Sequence, residues 1–328
     1  MAAGLGTRLR PLTYEVPKPM VPVANRPVIE HLLRLLRDHD LGEVIANLHW
    51  FPETIRGPLG DGSRFGVELQ YRHEEKLTGT AGGVRAVRDF LTGGGDSFVV
   101  MAGDALTDIN LGALREAHLA NGGIATLAVK RVSNVSEYGV VITGADGRIQ
   151  GFQEKPDPAE ALSEDASCMI YAFRPEIFDY FPDSDFVDFA NDVFPVLLEH
   201  DVPFHAHPID DYWNDVGSSP EYLQGNLDAV DGRVRVDPAG ELVDGGPDED
   251  SPHVQDGDWE LTGTVLLGKG ARIAPGARID GPAVIGPGAS VGEGAIVKQS
   301  VLLPRTEVLT STLLLGSIAG RRDSLTPA

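Results

Sequence analysis

Apolar residues recur along this chain with two different periods, and the change from one to the other divides it. Over residues 27–39, Ile29, Leu32, Leu33, Leu35 and Leu36 fall at helical spacing with Arg34, Arg37 and Asp38 between them. That spacing predicts an amphipathic helix, stopped near Gly42. Residues 43–48 (EVIANL) read as a short buried strand, 52–59 as a helix closed by the Gly60-Asp61-Gly62 turn, and 67–71 as an alternating strand. A helix is expected over 84–91, and strands over 97–101 and 124–130. Alternation of this kind predicts an α/β fold with a mostly parallel, Rossmann-like sheet flanked by helices. Ligands bind such sheets beyond the carboxyl ends of the strands.

Beyond residue 260 the period becomes six. Leu261, Leu267, Ile273, Ile279, Ile285, Val291, Val297, Leu303, Leu309 and Leu315 keep one phase, and Ala271, Ala277, Ala283, Ala289 and Ala295 keep a second. A branched aliphatic and a small residue in every hexad predict a parallel β-helix, each face of a coil taking one hexad. Open coil ends and flat faces are natural association surfaces, so a structural or oligomerising role is expected for this part. Residues 237–258 hold eight Asp or Glu and no Lys or Arg, with Gly245-Gly246-Pro247 among them. Low hydrophobicity with high charge describes a linker or a loosely held segment. The chain thus reads as a domain over 1–232, an acidic linker over 233–260 and hexapeptide repeats over 261–320.

Composition narrows the function. With 27 Lys and Arg against 49 Asp and Glu, the net charge of −22 argues against a general nucleic-acid surface. No apolar run has the roughly 18–20 residues of a membrane span, and no signal peptide opens the chain. Cys168 is the only cysteine, which excludes an intramolecular disulfide and a cysteine-based zinc site and makes the cytoplasm the expected location. In this acidic chain the first nineteen residues stand out. Gly4 and Gly6 bracket a tight loop, Thr7 and Arg8 follow, and Lys18 sits between Pro17 and Pro19. Glycines let backbone N–H groups approach a phosphate, Arg8 offers a planar fork and Lys18 a compact charge. Asp104 ends a strand in a Gly-Asp turn, where a carboxylate suits either Mg²⁺ or a helix cap. Asp108, four residues on, reads as a cap or turn residue. Cys168 has no basic neighbour in sequence and reads as a small core residue.

The run GLGTRLRPLT with PKP downstream closely resembles the sugar-1-phosphate nucleotidyltransferases. The resemblance continues through GTAGG at 79–83, Gly103-Asp104, Tyr138-Gly139, Glu154-Lys155-Pro156 and Trp213-Asn-Asp215-Val-Gly217-Ser218. It implies transfer of a nucleotidyl group from an NTP to a sugar 1-phosphate, with release of pyrophosphate. By the same resemblance Asp104 and Asp215 hold Mg²⁺, Arg8 neutralises the departing pyrophosphate and Lys18 steadies the phosphates. Lys155 holds the incoming sugar phosphate. Ala3 and Gly4, with Gly6, Thr7, Gly79 and Thr80, face the nucleotide; Tyr138, Gly139, Glu154 and Ser167 face the hexose. The hexads resemble the left-handed β-helices appended to many such enzymes. Related β-helices in acyltransferases use a histidine, and none follows His253 here.

Two departures qualify the match. Where the family has an apolar strand before the glycine loop, this chain has only Met1-Ala2-Ala3, so a natural start upstream is expected. Where many relatives read Asn-Ala-Gly-Ile-Tyr, this chain reads Ser167-Cys168-Met169-Ile170-Tyr171. Serine reaches less far than asparagine toward a sugar hydroxyl, and methionine adds bulk at a glycine position. The overall pattern is most similar to mannose-1-phosphate guanylyltransferases. Uridylyl or thymidylyl transfer to glucose 1-phosphate remains the near rival, and a silent NDP-sugar-binding paralogue the alternative of another class.

Overall fold

In the computed structural model, residues 1–246, 253–255, 258–320 and 324–325 are described. The chain forms two compact units, each assembled from separate stretches of sequence. One comprises Met1–Leu5, Leu32–Gly103 and Ile109–Trp213; the other comprises Gly6–His31, Asp104–Asp108 and Asn214–Ala328. This division cuts the expected 1–232 region internally. The glycine loop and Asp104 fall with the repeats, for the reasons given below.

The first unit is mixed α/β. Its central sheet orders the strands His205–Pro208, Ala125–Arg131, Asp165–Phe173, Gly139–Thr143 and Ile149–Glu154, with Phe98–Met101 also paired to Asp165–Phe173. The expectation of a mostly parallel sheet is corrected here. Within that sheet only Ala125–Arg131 with His205–Pro208 is parallel, and every pairing of Asp165–Phe173 is antiparallel. The reason lies in the connections. Gly139–Thr143 and Ile149–Glu154 are joined by a short turn with no helix, which returns the chain antiparallel. The strand–helix–strand pattern at the front of the chain does give a parallel pair, Glu43–Leu48 with Glu68–His73 across the helix Pro52–Leu59. The expected 84–91 helix is two, Thr80–Arg85 and Arg88–Thr92.

An aromatic core holds this unit together. Phe173 stacks on Phe189 with centroids 5.2 Å apart, Phe194 stacks on Phe189 at 5.7 Å, and Phe152 stacks on Phe194 at 5.2 Å. Leu127, Val129, Val141 and Ile149 close around them. Met1 to Ala3 form no strand. The Met1 amino group donates to Met101 O at 2.6 Å, Gly103 N donates to Met1 O at 2.7 Å, and Ala2 N donates to Asn47 Oδ1 at 2.9 Å.

In the second unit, three stacks of short parallel strands build the repeat part: Thr264–Leu267 onward, Trp259–Thr262 onward and Arg272–Ile273 onward. Such a run is consistent with a β-helix. Leu261, Ile279, Ile285, Val291 and Val297 fill its axis together with Ala277, Ala283, Ala289 and Ala295. The six-residue phase then slips. Asp280 pairs Lys298, eighteen residues on, whereas Val284 pairs Val301, seventeen on. The corner at Gln299-Ser300 is one residue shorter than the corner above it. After that corner Leu302, Val308 and Leu314 enter the core, and Leu309 and Leu315 are 67% and 50% exposed. The sequence expectation for Leu303, Leu309 and Leu315 is corrected accordingly.

Part of the segment read as linker is strand. Glu241–Asp244 pairs antiparallel with Thr264–Leu267, and His253–Gln255 with Trp259–Thr262. Residues 247–252 and 256–257 of that segment lie outside the described residues. The helix Ser219–Val230 packs on the strands Thr264–Leu267 and Ala283–Ile285. It also carries the glycine-loop segment: Tyr222 Oη donates to Pro22 O at 2.7 Å, and Asn226 Oδ1 accepts from Ala24 N at 3.0 Å. Those contacts explain why residues 6–31 belong with the repeats.

Candidate functional site

The second unit gathers four of the expected charged residues. Gly6 adopts φ 60° and caps a 3₁₀ turn over Thr7–Leu9. A Cβ on Gly6 would stand 3.0 Å from Lys18 Cβ and 3.1 Å from Thr13 Cγ2, so glycine both makes the turn and admits Lys18 beside it. Thr13 Oγ1 donates to Gly6 O at 2.6 Å and fixes the loop. Lys18 is 8% exposed. Its Nζ lies 3.0 Å from Asp104 Oδ2 and donates to the main-chain oxygen of Asp215 at 2.6 Å. Arg8 Nη2 lies 3.1 Å from Asp215 Oδ2. Gly6, Thr7, Arg8, Lys18, Asp104 and Gly217 line a polar cleft of about 190 Å³.

Asp215 is held by a helix start. Ser218 caps the helix Ser219–Val230, and Glu221 Oε2 accepts from Gly217 N at 3.1 Å and from Ser218 Oγ at 3.0 Å. With Glu221 N donating back to Ser218 Oγ at 3.4 Å, this resembles a capping box in which the carboxylate takes the N–H one residue ahead of the cap. Gly217 N also donates to Asp215 Oδ1 at 3.0 Å. Burial, with the Glu221 carboxylate beside it, pushes the Asp215 carboxyl above the usual carboxylate range, against the pull of Lys18 and Arg8. Glu221 was absent from the sequence expectation, although Ser-x-x-Glu ahead of an apolar run was there to be read. Asp108 is no helix cap: Asn110 caps Leu111–Asn121, and Asp108 Oδ2 accepts from Arg235 N at 2.9 Å.

The first unit gathers the remaining expected residues in two groups. The hairpin of Gly139–Thr143 and Ile149–Glu154 sets Gly139 opposite Glu154, and Lys155 N donates to Tyr138 O at 3.0 Å. Lys155 has φ 48°, and its ammonium lies 3.8 Å from Glu154 Oε1. Ala166, beside Ser167, pairs with Val140 in the same sheet. The Tyr138 ring meets Trp213 edge-on at 5.5 Å, and Trp213 Nε1 donates to Cys168 O at 3.1 Å. Trp213 thus joins this group.

The Ser167–Tyr171 departure is a β-bulge against Ala125–Arg131. Met169 takes φ 56°, the conformation a glycine would supply. Its bulk, expected toward a hexose, instead packs on the aromatic core, where Sδ accepts from the buried Tyr171 Oη at 2.9 Å. Ser167 Oγ lies 3.2 Å from the same hydroxyl. Cys168 is fully buried, and burial raises its thiol pKa, in keeping with a core role.

The second group surrounds Gly79 and Thr80. Gly79 has φ 86°, and a Cβ there would collide with Val187 O. Thr78 Oγ1 donates to Glu74 Oε2 at 2.9 Å, and Asn47 Nδ2 donates to Glu74 Oε1 at 2.6 Å. The same Asn47 accepts from Ala2 N, so one buried network reaches both the Ala3-Gly4 end and the Gly79-Thr80 turn. Ala3 is buried and Gly4 exposed. Sequence reasoning missed Asn47 and Glu74, which carry no motif of their own.

Residues 1–232 match the nucleotidyl transferase family. The chain is 42% identical over 235 residues to a UTP–glucose-1-phosphate uridylyltransferase of Synechocystis, covering 68% of this chain and 61% of that protein. It is 34% identical over 281 residues to a mannose-1-phosphate guanylyltransferase of Mycobacterium tuberculosis, covering 84% and 76%. The solved structure of HddC from Yersinia pseudotuberculosis shares the fold, with a TM-score of 0.58–0.59 at 22% identity over 69% of this chain and 95% of its own. The family match takes in the glycine loop, Asp104 and Asp215, and both relatives extend over more than two thirds of the chain: it belongs to the sugar-1-phosphate nucleotidyltransferase family.

Proposed function

We propose that this chain transfers a nucleotidyl group from an NTP to a sugar 1-phosphate, giving an NDP-sugar and pyrophosphate. The observation that carries the reading is the cleft beside the Gly6 turn, lined by Lys18 paired with Asp104 and by Arg8 paired with Asp215. Catalysis of this kind rests on positioning and charge stabilisation. Arg8, whose side chain is half-exposed, meets the departing pyrophosphate, and Lys18 steadies the phosphates. Lys155 orients the sugar phosphate for in-line attack. Tyr138, Gly139, Glu154 and Ser167 face the hexose; Ala3, Gly4, Gly79 and Thr80 face the base, with Gly6 and Thr7 on the phosphates.

The carboxylates of Asp104 and Asp215 fit Mg²⁺, which takes one or two carboxylates together with substrate phosphates. Among the described residues no group of three or more His, Cys, Asp or Glu stands together as a metal site. When bound, Mg²⁺ would neutralise phosphate charge.

GTP with mannose 1-phosphate is the pair we favour, because the guanylyltransferase relative aligns over 84% of the chain. The higher identity of the uridylyltransferase, 42%, supports UTP with glucose 1-phosphate as the second reading. For the repeat part we propose a left-handed β-helix and self-association, a reading supported by the exposure of Ile296, Leu309, Leu313 and Leu315. No helix among the described residues is long and apolar enough to cross a membrane, and a single cysteine with an NTP substrate suits the cytoplasm. Pyrophosphate release with Mg²⁺ across five nucleotides and a panel of sugar 1-phosphates tests the reading. Release with one pair names the product. Silence with retained NDP-sugar binding would replace the enzyme by a regulatory paralogue.

A further inference from the structure

Asp188 belongs to none of the motifs quoted above, yet it holds the Gly79-Thr80 turn. Thr80 Oγ1 donates to Asp188 Oδ2 at 2.7 Å and accepts from Phe189 N at 3.0 Å. Val187, one residue earlier, ties the backbone of the same turn. Its N donates to Thr78 O at 2.8 Å, and its O accepts from Ala81 N at 3.0 Å and Gly82 N at 2.9 Å. Gly79 lies so close to Val187 O that no side chain fits there.

Asp188 itself is firmly placed. Its Oδ1 accepts from Ala190 N at 3.0 Å and Asn191 N at 3.3 Å, capping the π-helical turn Phe189–Val193. Its N donates to Asp192 Oδ2 at 2.7 Å. Phe189 and Val193 anchor that turn in the aromatic core. A π-helical turn is a rare geometry that recurs at functional sites. The hydroxyl of Thr80 therefore takes its direction from the core and not from its own loop.

The consequence is chemical. A threonine hydroxyl has one proton and two lone pairs. Here the proton goes to Asp188 and one lone pair to Phe189 N–H, so the capacity left to the Thr80 hydroxyl is one acceptor site.

We propose that Asp188 is a positioning residue for nucleotide binding, setting the polarity of the Thr80 hydroxyl and the posture of the Gly79-Thr80 turn. The inference rests on the reading of that turn as a nucleotide-binding one. Asp188→Asn is close to isosteric, but its amide can donate to Thr80 and reverse the hydroxyl.

The test is calorimetric titration of GTP, UTP, mannose 1-phosphate and glucose 1-phosphate into the full chain. Asp188→Asn is expected to weaken the nucleotide that wild type binds about tenfold and to leave sugar 1-phosphate affinity unchanged. Thr80→Val should lose as much, the double variant no more than either single one, and Thr80→Ser should keep wild-type affinity. An unchanged nucleotide Kd in Asp188→Asn overturns the inference while leaving the proposed function standing. Equal weakening of both substrates with a lowered Tm overturns it in favour of a merely structural contact. Wild type that binds no nucleotide would remove the proposed function, and this inference with it.

Discussion

Lys18 and Asp104 form an ion pair of 3.0 Å in which the lysine is almost wholly withdrawn from water. The same ammonium donates to the main-chain oxygen of Asp215, so one cation ties together the two expected carboxylate positions. A compact ammonium can serve a carboxylate and a carbonyl from one point; a planar guanidinium cannot without more room. Burial of the Lys18 side chain leaves little of it.

Lys18→Met is accordingly expected to lower kcat at least a hundredfold, and Lys18→Arg to restore little of it. Steady-state pyrophosphate release, with circular dichroism to check folding, reads both. Near-wild-type turnover in Lys18→Arg would mean that charge alone is needed there.

Asp104→Asn should abolish turnover at ordinary Mg²⁺ while preserving the fold, because the amide loses the charge that a hard cation seeks. Asp211 provides the control. Its Oδ2 accepts from Asn110 N at 3.1 Å, a local structural bond, so Asp211→Asn should keep activity within a few-fold. Full activity in Asp104→Asn would sink the metal assignment.

Local pattern made some of this structure legible and left other parts hidden. The helix Val28–Asp38, the parallel pair Glu43–Leu48 and Glu68–His73, and the hexads as far as Val297 follow from periodicity, because burial on one face imposes it. The antiparallel centre of the sheet was not legible, since strands joined without helices leave no spacing signature of their pairing partner. The slip after Val297 was hidden for a different reason. Val301, Leu302 and Leu303 are all aliphatic, so the strict phase ran on in sequence while the shortened Gln299-Ser300 corner moved the core by one residue. At the site, the Ser218 and Glu221 signature was present, but Asp188 reaches Thr80 across 108 positions and no short motif records such a contact.

The slip makes neighbouring leucines unequal. Leu314 is 7% exposed and Leu315 is 50% exposed, the reverse of what an unbroken six-residue period requires. Leu314→Ala should cost about 2–3 kcal/mol by losing packed surface and leaving a cavity. Leu315→Ala should stay within about 0.5 kcal/mol. Urea denaturation of the two variants decides the register, and equal losses would restore the unbroken period.

His118 sets a pH limit on stability. It is fully buried, and its Nδ1 lies 3.0 Å from Thr126 Oγ1 while its Nε2 meets no hydrogen-bond partner among the described residues. Burial, with the Arg174 charge adding to it, lowers its pKa from 6.5 to about 4. Above pH 6.5 the ring is neutral in both folded and unfolded chains and contributes no pH dependence. As the pH falls from 6.5 toward 4, the unfolded chain takes up a proton that the folded chain refuses, so stability declines with acid by up to about 3 kcal/mol. Below the folded pKa both states are protonated and the decline stops. His118→Leu removes the titrating group, and Thr126 Oγ1 keeps a partner in Asn121 Nδ2 at 2.9 Å. Between pH 7.5 and 4.5 the urea midpoint of the variant should therefore fall less than that of the wild type. Parallel declines would show that carboxylates elsewhere, and not this imidazole, govern the acid sensitivity of the fold.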